Sequence, residues 1–98
     1  MKLDDAARRL EALGNPTRLK ICRALVAAGR SGLPVGRLQS RLRIAASTLS
    51  HHLKTMIGAG LVTQTRDGTS LICHANANTM RSLVAYLREE CGARDAKL

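Results

Sequence analysis

Residues Ala45-Ala46-Ser47-Thr48-Leu49-Ser50-His51-His52-Leu53-Lys54-Thr55-Met56-Ile57-Gly58-Ala59-Gly60 decide the fold. At about 100° per residue, Leu49, Leu53, Met56 and Ile57 fall on one arc of a helix, while Ser47, Thr48, His51 and Lys54 fall on the opposite one. One face is core; the other is small, polar and positive. A helix that merely meets solvent usually carries long Glu and Lys side chains outside. The short hydrogen-bonding groups here let the backbone approach a surface, which suits a helix laid in the major groove of duplex DNA. A solvated Ser/Thr-rich face gives the same pattern, so the neighbouring elements must decide.

Just upstream, Leu33-Pro34-Val35 leads into a short helix with Leu38 and Leu42 on one side and Arg37 and Arg41 on the other. Arg43-Ile44-Ala45 makes a tight turn into the next helix, with Ile44 placed to pin the two together. Short helix, tight turn and second helix form a helix-turn-helix. Just downstream the period changes to alternation through Leu61–Arg66 and Thr69–His74, and Asp67-Gly68 between them is a two-residue hairpin signal. A basic hairpin directly after a reading helix is a wing, and Arg66 at its tip is placed to meet the minor groove or a phosphate. A surface hairpin without a ligand is the plainer reading.

Further out, Leu3, Ala6, Ala7, Leu10 and Leu13 recur at helical spacing up to the stop at Gly14. Asn15 is placed to cap a second helix from about Pro16 to Ala28, with Pro16 in its first turn. Leu19, Ile21, Cys22, Leu25 and Val26 cover a wide arc of that helix, so it is expected to be largely buried. Arg18 falls inside the arc and needs a carboxylate such as Glu11, Glu89 or Glu90, several carbonyl acceptors, or a path to the surface. Gly29-Arg30-Ser31-Gly32 reads as a loop. Asn76 or Asn78 caps a last helix whose stripe is Met80, Leu83, Val84, Leu87 and Cys91. Arg94 to Leu98 reads as a frayed tail.

The 98 residues suit one domain with a limited core, so a homodimer is expected, in which the apolar stripes of the terminal helices pair across a two-fold axis. Sixteen Lys and Arg against seven Asp and Glu give a formal charge of +9, which points to a polyanion. Tyr86 is the sole aromatic residue, so the stacking platforms of single-strand and RNA readers are missing and double-stranded DNA is the expected partner. No apolar run reaches the roughly 18 residues of a membrane span, and Met1-Lys2-Leu3-Asp4-Asp5 is acidic where a signal peptide is basic. No membrane partner and a cytoplasmic location are expected.

These residues resemble the ArsR/SmtB family of winged-helix repressors from about Ala6 to Gly92. The resemblance is carried by Leu13-Gly14-Asn15-Pro16-Thr17-Arg18-Leu19 with Ile21, and by Ser47-Thr48-Leu49-Ser50-His51-His52-Leu53 followed by Ala59-Gly60-Leu61-Val62. It implies a mainly α fold with a β-hairpin: four helices, the hairpin, then a fifth helix, dimerised through the terminal helices. The whole of 1–98 then forms one winged helix-turn-helix domain. The helix-turn-helix lies at about 35–59, the wing at about 62–75 and the dimerisation helices at about 3–13 and 78–91. The family reads an inverted-repeat operator and represses until an effector binds. Its base-reading positions fall on Ala46, Ser47, Ser50 and His51, while His52 lies beside Met56 as a packing or phosphate-contact residue. With the face read from periodicity, the DNA-binding set is Ala46, Ser47, Thr48, Ser50, His51, Lys54, Arg66 and Arg37.

The chain departs from the family where an effector is read. The Cys-x-Cys element of soft-metal sensors is replaced by Leu33-Pro34-Val35-Gly36-Arg37-Leu38, and no histidine follows His74 to build a terminal-helix zinc, nickel or cobalt site. Cys22, Cys73 and Cys91 remain, an odd and widely spaced set that reads as reduced thiols. Glu89-Glu90-Cys91-Gly92 resembles the end of arsenite-responsive members, with Gly92 in place of a second cysteine. Cys22 with Cys91 is similar to the cysteine pair of reactive-sulfur sensors, one residue out of register at Arg23. Each thiol also has a structural reading, as a buried filler. Arg23, Arg88 and Arg94 lie close to the thiols in sequence.

The leading expectation is therefore a dimeric repressor released by a thiol-directed effector, arsenite or another soft metalloid or reactive sulfur, with no required cofactor. An effector-independent regulator with structural cysteines, and a non-specific DNA-coating protein, are the alternatives. Catalysis is not expected. Cys73 and His74 look like a dyad, but successive strand residues face opposite sides of a sheet, and there is no Cys-x-x-Cys or phosphate loop.

Overall fold

The computed structural model describes residues 1–92. Its helices are α1 (Leu3–Leu13), α2 (Pro16–Ala28), α3 (Val35–Leu42), α4 (Ala46–Gly58) and α5 (Ala77–Glu90), and its strands are β1 (Leu33–Pro34), β2 (Val62–Asp67) and β3 (Ser70–Ala75). The fold is mainly helical, with one small sheet. The expected frayed tail and Arg94 lie outside the described residues.

The helix boundaries have local causes. Asn15 accepts the Arg18 amide at 3.0 Å with Pro16 just behind it, and Asn76 accepts the Thr79 amide at 3.2 Å, which selects Asn76 over Asn78 as the cap of α5. The α3–α4 turn is closed by Arg43, a non-glycine residue with φ 54°. Ile44 packs half-buried against the core, as the sequence predicts.

The core gathers one face of each element. Ile21 and Leu25 of α2, Leu38 of α3, Leu49, Leu53 and Met56 of α4, Leu61, Val62 and Cys73 are all buried. Burying each of the larger aliphatic side chains contributes roughly 1.5–3 kcal/mol against leaving it in water. α2 is less covered than its arc suggests, since Leu19 and Val26 are 50% and 56% exposed, and Ile57 at 38% sits on the rim of α4. This thirteen-residue helix packs against α1, α3, α4 and β3, and Leu19 and Val26 fall on the part of its surface that a single protomer leaves in solvent.

Two features of the sheet differ from the sequence reading. β1, expected only as a lead into α3, pairs antiparallel with β3 through Leu33↔Cys73 and Pro34↔Ile72, giving the order β1-β3-β2. The hairpin turn is Gly68-Thr69 rather than Asp67-Gly68, because Val62 pairs with Ala75 and Asp67 with Ser70. Register follows the buried face, which puts Cys73 under Leu33. Gly68 then takes the first loop position at φ 63°, where a two-residue turn calls for glycine.

Candidate nucleic-acid interface

α4 presents the two faces read from its periodicity. Leu49, Leu53 and Met56 are buried, whereas Ala46, Ser47, Thr48, Ser50, His51 and Lys54 are exposed along the other side. Its first turn holds no acidic residue and Ala45 offers no side-chain cap, so the leading backbone N–H groups and the positive end of the helix dipole stay available to an anion. Ser50 and Lys54 line a shallow depression shared with Gln64 and Leu71 of the hairpin, so reading helix and wing adjoin.

Beside them α3 and the hairpin enclose a groove of about 950 Å³, lined by Arg37, Ser40 and Arg41 from one side and Arg66, Thr69 and Ser70 from the other. Among the described residues Arg37, Arg41 and Arg66 make no ion pair, and no carboxylate lines the groove. Exposed, unpaired guanidinium groups and hydroxyls on two walls form a lining suited to a sugar-phosphate backbone. The sequence reading selected Arg37 and Arg66 and passed over Arg41. The signal was present: Arg41 is four residues after Arg37 and shares its helix face.

Other cations turn inward, to backbone. Arg18 Nε donates to the Ala12 carbonyl at 2.6 Å, and Arg9 Nε to the Ala59 carbonyl at 3.0 Å. The carboxylate expected for Arg18 is replaced by a carbonyl at the end of α1, where the helix leaves its acceptors unused and its dipole favours a cation. Arg9, whose role the sequence did not show, ties α1 to the C-terminus of α4 in the same way.

His52 separates from His51 as expected. It is half-buried, its ring centroid is 5.8 Å from that of His51, and its Nδ1 is shielded from solvent with no hydrogen-bond partner among the described residues. Desolvation first, then the Arg18 and His51 charges, hold its pKa below the ordinary histidine value.

The thiols occupy three different settings. Cys73 is fully buried and its Sγ accepts from Gln64 Nε2 at 3.4 Å; Cys22 is half-buried; Cys91 is exposed at the C-terminal end of α5. Burial pushes the Cys22 and Cys73 thiols up in pKa, outweighing the Gln64 hydrogen bond at Cys73, so both are held as thiols rather than thiolates. Among the described residues no three His, Cys, Asp or Glu side chains converge on a possible metal position. Cys73 and His74 divide as strand neighbours do. The first faces the core, and the second places Nε2 3.1 Å from Thr65 Oγ1.

Residues 13–65 match the family model described as a helix-turn-helix domain. An uncharacterized HTH-type transcriptional regulator of Methanocaldococcus jannaschii is 35% identical over 68 residues, 69% of this chain and 74% of that protein. The chain belongs to the ArsR family of winged helix-turn-helix regulators. A Halobacterium salinarum protein named as the arsenical resistance operon repressor ArsR is 44% identical over 59 residues, which are 60% of this chain and 45% of that protein. Among solved structures, the homodimeric winged helix-turn-helix DNA-binding domain from Mycobacterium bovis is similar at a TM-score of 0.74 and 25% identity, over 94% of this chain and 82% of that one. The ArsR family and this fold are those of DNA-binding transcription regulators rather than enzymes.

Proposed function

We propose that this ArsR-family regulator is a homodimeric repressor that reads an inverted-repeat operator. Ala46, Ser47, Thr48, Ser50 and His51 form the base-reading edge, and Lys54, Arg37, Arg41 and Arg66 hold phosphates. The observation that carries the reading is the continuity of the exposed α4 face with a groove of unpaired guanidinium groups between α3 and the wing. The whole chain acts as one winged helix-turn-helix domain, with α1 and α5 pairing across the two-fold axis. Support for that pairing comes from apolar residues left in solvent on these helices, Leu3 at 70% and Val84 at 53% exposure, and from the homodimeric relative.

The test is selection of a duplex from random sequence, followed by titration at several salt concentrations. A palindromic winner with half-sites one helical turn apart, roughly 34 Å, and a steep loss of affinity with salt are expected. Equal affinity for the winner and a scrambled duplex would leave a DNA-coating protein instead.

Release by a thiol-directed effector rests on Cys91, the exposed thiol, with Cys22 and Cys73 as deeper candidates. Arsenite or another soft metalloid would need donors from more than one protomer, since one protomer gathers no three-ligand set among the described residues. Operator binding by the wild type and by each Cys→Ser variant, reduced, with arsenite and with a persulfide donor, decides the matter. An unchanged response in every variant would make the thiols structural and the regulator independent of them.

A further inference from the structure

A cavity of about 530 Å³ lies where the end of α2, the Gly29–Ser31 turn, the end of β3 and the start of α5 meet, away from the basic groove. Its volume falls within the roughly 300–1,000 Å³ of small-molecule sites. Leu25, Val26 and Met80 give it apolar walls, and Arg30, Arg81 and His74 supply its polar groups. No described carboxylate lines it. Arg30 has no hydrogen-bond or ion-pair partner among the described residues, and Arg81 Nη2 donates only to the neutral Asn78 Oδ1. Two uncompensated guanidinium groups beside an apolar chamber select a ligand with one anionic head and an apolar body. A carboxylate matches the planar guanidinium fork, whereas a nucleic-acid backbone brings nothing to place against Leu25 and Met80.

We propose that this cavity is a binding site for an amphipathic monocarboxylate, an effector site separate from the thiols. His74 connects it to the wing. The imidazole lines the cavity, bonds Thr65 of β2 through Nε2, and packs so closely on Gly32 that a Cβ there would stand 2.7 Å from Nδ1. Thr65 adjoins Arg66, so an occupant that shifts His74 acts on the wing, and one that shifts Met80 and Arg81 acts on the first turns of α5. Binding does not depend on the DNA reading; its effect on operator affinity rests on that reading.

Calorimetric titration of the full chain with octanoate, 1-octanol and octylamine tests the site. Saturable octanoate binding is expected, with the other two weaker by about tenfold or more, the step that corresponds to roughly 1.4 kcal/mol. Arg30→Gln combined with Arg81→Gln lowers octanoate affinity by a similar factor and leaves the melting temperature unchanged, since both side chains are exposed. Absence of saturable octanoate binding, or equal binding by the double variant, overturns the site. Octanoate at saturation is expected to lower affinity for the selected duplex. Binding without that loss overturns the effector role, and failure of the duplex selection itself counts against the DNA reading alone.

Discussion

In the proposed DNA complex His51 and Arg41 have different roles, one reading and the other holding. His51 lies on the exposed edge of α4 and Arg41 lines the groove between α3 and the wing, positions proposed to meet base edges and phosphate respectively. His51→Ala is expected to lower affinity for the selected operator by about 1–3 kcal/mol while leaving scrambled DNA nearly unaffected. Arg41→Ala should weaken both duplexes alike and flatten the salt dependence, by about one unit of slope. Parallel titrations of the two variants on the two duplexes check this, and equal losses on both for His51→Ala would remove it from the reading edge.

Next to it, His52 is expected to contribute a pH dependence of stability. Its folded pKa is depressed, chiefly by burial, so the unfolded chain binds a proton more readily than the folded one. The stability that neutral His52 leaves intact is fully present above the unfolded value, about 6.5, and is lost as pH falls toward the folded value. Thermal melts between about pH 7.5 and pH 5 should show a declining midpoint in the wild type, and a shallower decline in His52→Met. Identical slopes would assign the acid sensitivity elsewhere.

Among the elements, the hairpin and the turn before β1 show how backbone conformation and packing act separately. Gly32 and Gly68 both hold positive φ, at 65° and 63°. A Cβ at Gly68 meets nothing within 4 Å, while one at Gly32 would stand 2.4 Å from the Cys73 carbonyl oxygen as well as against His74. Gly68→Ala should therefore cost only the left-handed conformation, about 1–2 kcal/mol. Gly32→Ala adds a backbone clash where β1 joins the sheet, so a larger loss is expected, about 3 kcal/mol or more. Chemical denaturation of the two variants compares them; equal losses would mean that the strand yields without strain. The same elements mark where sequence reading ended. Asn15 and Pro16 announce α2 because a cap is a local interaction, but two residues of β1 carry no period, and only their pairing with Cys73 and Ile72 makes them a strand.

The described residues have a radius of gyration of 14.3 Å and extents of 46 × 23 × 22 Å, longer than a compact chain of about this size, for which about 13 Å is usual. Leu3 and Leu10 of α1 and Val84 of α5 remain in solvent at this scale. A second copy covering them follows the proposed two-fold pairing. Val84→Glu is expected to yield monomers in sedimentation at micromolar concentration and to reduce operator affinity by about a hundredfold or more, because the paired half-sites are then bound one at a time. A Val84→Glu protein that stays dimeric would place the interface elsewhere.

By itself the sequence determined what depends on spacing along the chain. It set the five helices, the Asn15 cap of α2, the exposed face Ser47-Thr48-His51-Lys54 of α4, the helix-turn-helix and hairpin order and the net positive charge, since periodicity and capping are local and charge is additive. Tertiary structure decided what depends on which surfaces meet. Packing sent Arg18 to the Ala12 carbonyl rather than to a carboxylate, moved the turn to Gly68-Thr69, and buried Cys73 while exposing Cys91. It also brought Arg41 alongside Arg66, and Arg30 alongside Arg81 and His74. Those neighbours lie 25 to 51 residues apart along the chain, and no local pattern encodes the approach of two elements that only a shared core holds in place.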